Sequence, residues 1–287
     1  MKIISATYGG VPITDLIKAK ISGDKLLLKV NNDIIGDPKA GTLKYLEIEY
    51  EHQGEILTES YKENTICSLP KSKTNKLGIF YSNNNNPTIY PTIDKSLECI
   101  KKASENKADI LTCVWKSIKN NPFAEIISWY QSQSHLNQLL QIMQCLYTAR
   151  EMGKYDYVSF LEHDVLYPEG YFDYPDFESG QIWTNMNFIG VNKDGWQPLG
   201  QKDEPFHQMT MRFDDAINHC ERIIGNALIR NSGMIEPQDI VRKQWMAVNP
   251  AVHVNHGHHF TSHYSIYKKA DSTINSYWGD FSNYILH

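Results

Sequence analysis

The chain has 287 residues, 41% of them hydrophobic, with 28 Lys and Arg against 33 Asp and Glu and a formal net charge of −5. That length supports one large domain or a medium domain with a small one, and the acidic balance argues against broad electrostatic capture of nucleic acid. Residues 1–75 carry ten Lys and ten Asp plus Glu, so the whole deficit falls on the remainder. Five cysteines (Cys67, Cys99, Cys113, Cys145 and Cys220) lie far apart with no CxxC pair, which points to a reduced intracellular compartment. The opening MKIISATYGG lacks the apolar length of a signal peptide, and no stretch approaches about 18 uncharged apolar residues. The expectation is a cytoplasmic protein without a membrane span.

From residue 1 to about 70 the pattern is short strands between turns: KIISATYGG, DKLLLKVNN and GTLKYLEIEYE, punctuated at Gly9-Gly10, Ser22-Gly23-Asp24, Gly36-Asp37-Pro38 and Gln53-Gly54. This predicts a small antiparallel β module over residues 1–72, similar to β-sandwich modules appended to unrelated proteins. Asp24, Asp33 and Asp37 are read as turn formers rather than as a calcium site. LPKSKTNK (69–76) is polar and carries a proline, so a linker is placed there.

Beyond it the composition changes. Leu77-Gly78-Ile79-Phe80-Tyr81 is an apolar strand, a helical stretch runs from about Thr92 to Ala103 with Ile93, Leu97 and Ile100 on one face, and a second strand covers residues 108–115. Together they make a βαβ unit. A longer helix is predicted from about Ser134 to Met152, where Leu136, Leu139, Leu140, Met143 and Leu146 keep helical spacing and Gly153 supplies the stop.

That helix feeds YDYVSFLEHDVLYPEG (155–170), an apolar strand ending on Glu162-His163-Asp164. Ligands of open α/β sheets collect where such strands end. On extended backbone, side chains at i and i+2 share a face, so Glu162 and Asp164 are expected on one side and His163 on the other. Two carboxylates so placed repel each other unless a cation lies between them, and hard oxygen donors suit Mg2+ or Mn2+.

An acid-x-acid element after such a strand, preceded by a long helix and a βαβ unit, resembles the DXD-type signature of GT-A fold glycosyltransferases over residues 76–287. Glu162 stands where that signature has its first Asp. The resemblance implies an α/β fold, a Rossmann-like mixed sheet with flanking helices, preceded here by the small all-β antiparallel sandwich. It further implies a nucleotide-sugar donor, with Asp164 and Glu162 holding a metal on its diphosphate. Near the C-terminus PAVHVNHGHHFTSHY places His253, His256, His258, His259 and His263 within eleven residues. A late histidine completes the metal shell in this family, which implies that role for His256 or His258. A zinc site within the cluster lacks the HExxH spacing and a nearby Cys.

By the same resemblance the loop Tyr81-Ser82-Asn83-Asn84 meets the base and ribose, Trp115 and Lys116 lie alongside, and Glu162 and His163 border the donor. Inverting members carry a catalytic acid at a helix start, which implies Asp215, then Asp214, in MTMRFDDAINHCERIIGNALIR, with Glu204 third. Trp183 and Trp196 could stack on a sugar or pack in the core. The acceptor is left open among a saccharide, a protein hydroxyl and a modified DNA base. A metal-dependent hydrolase built on the histidine cluster and a noncatalytic binding protein are the alternatives.

Overall fold

The computed structural model describes residues 1–52, 54–70, 74–132, 134–152, 155–192, 195–198, 205–230, 240–254 and 274–283. The chain divides into two compact units. The first comprises residues 1–73 with 118–125 and 147–154; the second comprises 74–117, 126–146 and 155–287.

In the first unit the strands are β1 (Lys2–Tyr8), β2 (Val11–Pro12), β3 (Ile21–Ser22), β4 (Lys25–Lys29), β5 (Tyr45–His52), β6 (Glu55–Lys62) and β7 (Ile66–Leu69), with a short helix α1 (Thr14–Lys18). They form two antiparallel sheets, β2-β1-β5-β6 and β3-β4-β7. Alternation puts Leu46, Ile48 and Tyr50 of β5 inside while Tyr45, Glu47 and Glu51 face water. The buried side chains meet Ile3, Ala6 and Tyr8 of β1 and Leu26, Cys67 and Leu69 of the second sheet in one core. Lys44 is buried there between Asp37 (3.0 Å) and Glu63 (3.1 Å). Asp24 accepts from the N-terminal amine and Asp33 from Asn31 Nδ2, so each of the three aspartates weighed for calcium has a local partner.

Beyond residue 73 the chain forms β8 (Lys76–Ser82), α2 (Tyr90–Ser104), β9 (Asp109–Val114) and β10 (Ala124–Ile127), followed by α3 (His135–Met152) and β11 (Tyr157–Glu162), with residues 124–125 and 147–152 counted in the first unit. After β12 (Val165–Leu166) come β13 (Gln181–Asn185), β14 (Phe188–Asn192), β15 (Gly195–Pro198), β16 (Met209–Arg212), α4 (Phe213–Arg230), β17 (Val241–Trp245) and β18 (Ala251–Val254). A hairpin of β19 (Ile274–Asn275) and β20 (Gly279–Asp280) comes last. The main sheet is mixed and seven-stranded, in the order β10-β9-β8-β11-β16-β13-β17; a smaller sheet runs β12-β18-β14-β15. The α/β class with a Rossmann-like mixed sheet is therefore what the chain forms, together with antiparallel sheets.

In the main sheet β8, β9 and β11 are parallel and β16 is antiparallel to both β11 and β13. Residues Leu77 to Ser82 are all buried, as a strand covered on both faces requires. From β8 the chain steps to β9 on one side, while β11 lies on the other. The carboxyl ends of β8 and β11 therefore flank a topological switch point, where open α/β sheets take their ligands. Helix α2 buries Ile93, Leu97 and Ile100, the face its spacing predicts. Among the described residues no helix is long and apolar enough to cross a membrane.

Gly78 sits in the middle of this packing. A Cβ there would come within 2.5 Å of Ile110 Cδ1, 2.8 Å of Leu161 Cδ1 and 3.2 Å of Phe172 Cζ. Gly78→Ala is therefore expected to lower stability by about 1–3 kcal/mol through overpacking. Urea denaturation checks this, and an unchanged midpoint would show that the neighbours give way freely.

Candidate functional site

Strand β11 stops at Glu162, which is in register with Tyr81 of β8, itself in register with Cys113 of β9. His163 and Asp164 do not continue the strand. They form a turn that carries the chain into β12 and the smaller sheet. The expected i, i+2 alternation thus gives way to a change of direction at His163, whose side chain is buried.

This turn sets up a pairing in the smaller sheet. Val165 of β12 lies opposite His253 of β18, and Val254 N donates to Asp164 O at 2.8 Å. The pairing anchors His253 beside Asp164, with Nε2 2.9 Å from Oδ2. Glu162 has a matching partner in His207, whose Nδ1 lies 3.2 Å from Oε2. His207 arrives on a 3-10 turn, Phe206–Gln208, that leads directly into β16, the antiparallel neighbour of β11. The two imidazoles are 5.4 Å apart between ring centroids. Tyr167 ties the group together: its hydroxyl accepts from Glu162 N (2.9 Å) and donates to the His207 carbonyl (3.2 Å). Burial holds this phenol far above its ordinary pKa, so it stays a neutral donor.

Two carboxylate–imidazole pairs therefore converge on the switch-point rim. Burial of the His253 ring disfavours its charge, but the field and hydrogen bond of Asp164, with Glu162 behind, outweigh it and raise the pKa above the ordinary value. In donor chemistry the pairs suit a divalent ion: one hard oxygen and one imidazole each. The 2.9 Å between Asp164 Oδ2 and His253 Nε2 is the length of a charge-assisted hydrogen bond. Among the described residues no group of three or more His, Cys, Asp or Glu side chains is gathered to hold a metal. His256, His258 and Glu204 lie outside the described residues.

The residues expected to meet a nucleotide line the ends of β8 and β9, but most are turned inward. Tyr81, Ser82, Asn84 and Trp115 are buried; Asn83 is half-buried and Lys116 exposed. Asn84 works as a clip. Its Oδ1 accepts from Trp115 N (2.9 Å) and Lys116 N (3.0 Å) while Nδ2 donates to Lys116 O (2.6 Å), which engages the whole amide within the protein. Trp183 stacks on Phe177 (4.8 Å, 12°), and the buried Trp196 donates to Gly279 O.

Asp214 and Asp215 are not brought to this rim. They occupy the first turn of α4, which follows β16, and β16 runs antiparallel so that Arg212 faces Tyr157 at the start of β11. Five residues of strand, about 17 Å, separate that edge from Glu162. Asp215 instead accepts from Ser179 Oγ (3.1 Å) and Gly180 N (2.7 Å). No local pattern singles out His207 in EPFHQ, and His253 stands in the sequence as one member of the C-terminal cluster. The signal for His253 was its apolar-flanked position in PAVHV, a strand pattern that its two successors lack.

No family model matches the chain, and no curated protein matches it. Among solved structures it is similar to a glycosyltransferase involved in the glycosylation of the major capsid of PBCV-1, at 11% identity and a TM-score of 0.38, over 62% of this chain and 91% of that one. It is also similar to an active-site mutant of LgtC (11% identity, TM-score 0.34, 58% of this chain and 72% of that one). A third structure, the galactosyltransferase LgtC in complex with donor and acceptor sugar analogs, matches at 11% identity and a TM-score of 0.31, over 57% of this chain and 67% of that one.

Proposed function

We propose that this chain is a metal-dependent glycosyltransferase that moves a sugar from a nucleoside-diphosphate sugar to an acceptor hydroxyl. The observation that carries the reading is the pair of carboxylate–imidazole contacts, Asp164 with His253 and Glu162 with His207, at the carboxyl edge of a switch point. Such an edge is where a phosphorylated ligand docks in an α/β sheet; the carboxylates are donors for Mn2+ or Mg2+, and the imidazoles favour Mn2+ over the oxygen-demanding Mg2+.

Asp164 and His253 are the residues that would hold the ion. His256 and His258 follow His253 by three and five positions and are the proposed further ligands. When bound, the ion supplies charge stabilisation to the leaving diphosphate. Glu162 keeps His207 oriented through Nδ1 and is itself fixed by Tyr167. The buried Phe160, Val165 and Leu166 exclude water behind the carboxylates. Asn83 and Lys116, the accessible members of the β8 and β9 loops, are proposed to meet the donor. With Asp214 and Asp215 at the far edge, Glu204, three positions before His207 in sequence, is the proposed proton acceptor.

Incubation with UDP-sugars and MnCl2 tests the reading. UDP release that EDTA abolishes and added Mn2+ restores is the expected result. Phosphate released from simple esters without any nucleotide would favour a hydrolase, and neither product would leave a binding protein.

A further inference from the structure

We propose that the β3–β4 turn of the first unit positions the loop after β9, so that Ser22 and Gly23 act on donor binding through Lys116; this rests on the glycosyl-transfer reading. Between β9 and β10 the chain leaves the second unit after Ser117 and passes through the first unit as residues 118–125. That excursion is closed by one carboxylate. Glu125 Oε2 accepts from Ile118 N (3.0 Å) and from Asn121 Nδ2 (3.0 Å), while Asn121 N donates to Ile118 O (3.2 Å) and Asn121 Oδ1 accepts from Phe123 N (3.1 Å). Asn121, Phe123 and Ala124 are buried.

The β3–β4 turn grips the tip of this excursion. Ser22, paired with Lys25 across the turn, donates to Phe123 O (3.2 Å) and lies 3.5 Å from Asn121 O. Gly23 lies so close to Pro122 that a Cβ would stand 3.0 Å from Pro122 O and 3.1 Å from its C and Cα. The φ of Gly23 is +57°, a region that Asn also enters, so the contact rather than the backbone angle is what a Gly23→Asn side chain would break. At the other end of the loop, Asn84 accepts from Trp115 N and Lys116 N and donates to Lys116 O. Only Ser117 separates this grip from the one Glu125 has on Ile118 N. With a single residue of slack, a shift of residues 118–125 pulls on the Lys116–Ser117 peptide, whose carbonyl is the Asn84 partner. Lys116 is exposed, so its backbone decides where its ammonium stands, and small misplacements of a binding group are costly.

The test measures amide hydrogen exchange at Trp115 and Lys116, and UDP binding in Mn2+ by calorimetry, in wild type, Gly23→Asn, Ser22→Ala and Gly36→Asn. Gly36 is the control: its φ is +86°, but a Cβ there meets nothing within 4 Å, so Gly36→Asn repeats the backbone change without the contact. Gly23→Asn should speed exchange of both amides about tenfold and weaken UDP binding about fivefold, Ser22→Ala should move both the same way by about threefold, and Gly36→Asn should match wild type. Should Gly23→Asn fail to fold, Ser22→Ala carries the comparison. Exchange at the wild-type rate in the folded turn variants, equal acceleration in Gly36→Asn, or faster exchange with undiminished UDP binding would overturn the proposal. No UDP binding by wild type would count against the transferase reading instead, and exchange then decides whether the turn holds the loop.

Discussion

Asp164→Ala should reduce UDP release by about 10³-fold or more while the melting temperature stays within a few degrees of wild type. Asp164 is the carboxylate that holds His253, and loss of charge stabilisation on a leaving diphosphate is worth several kcal/mol, each 1.36 kcal/mol being tenfold in rate. The pair also sets a pH dependence with a definite sign. The carboxylates hold the His253 pKa above the ordinary value, so the pair contributes stability that is present below about pH 6.5 and is lost as pH rises through the elevated folded-state value. A protonated ring cannot ligate, so activity should rise with pH as the ring loses its proton. In Asp164→Asn the burial remains without the counter-charge, and the His253 titration, followed by NMR of the imidazole, should move to lower pH. Full activity in Asp164→Ala, or an unmoved titration in Asp164→Asn, would remove Asp164 from the site.

The second large effect is on acid stability. His219 of α4 is 1% exposed, and among the described residues neither ring nitrogen has a hydrogen-bond partner. Its ring faces Phe206 at 6.5 Å and 13°, and Phe206 stacks in turn on Phe160 at 4.4 Å. Burial, reinforced by the charges of Arg242 and Arg222, pushes its pKa down to about 4. The unfolded chain then binds a proton that the folded chain refuses. Stability is complete above about pH 6.5 and declines as pH falls toward 4, by about 3 kcal/mol in all. His219→Leu keeps the volume and removes the titration, so its urea midpoint should change little over that window while that of wild type falls steeply. Equal pH slopes in the two proteins would show that His219 can be protonated in place.

The elements of the second unit were legible because their signals are local. The unbroken apolar run at 77–81 and the helical spacing at 92–103 and 134–152 reappear as β8, α2 and α3 with ends shifted by one or two residues. The site was legible only in part, because its partners meet through non-local pairing. His253 reaches Asp164 through the register of β12 with β18, some ninety positions apart, and no local pattern encodes that register. The same limit explains Asp215. The helix start is a local signal, but the pairing of β16 with β11, which sets the end of the sheet at which α4 begins, is not. Tyr81 and Ser82 looked like loop residues because of the asparagines after them, yet β8 runs through Ser82 and buries both.

The most direct measurement is anomalous scattering from crystals soaked in MnCl2 and UDP. A single manganese peak within about 2.3 Å of Asp164 Oδ2 and His253 Nε2 is the predicted result, by ordinary metal–oxygen and metal–imidazole lengths. A difference map with UDP bound at the rim and no manganese beside those atoms, or with manganese only elsewhere on the protein, would contradict the account.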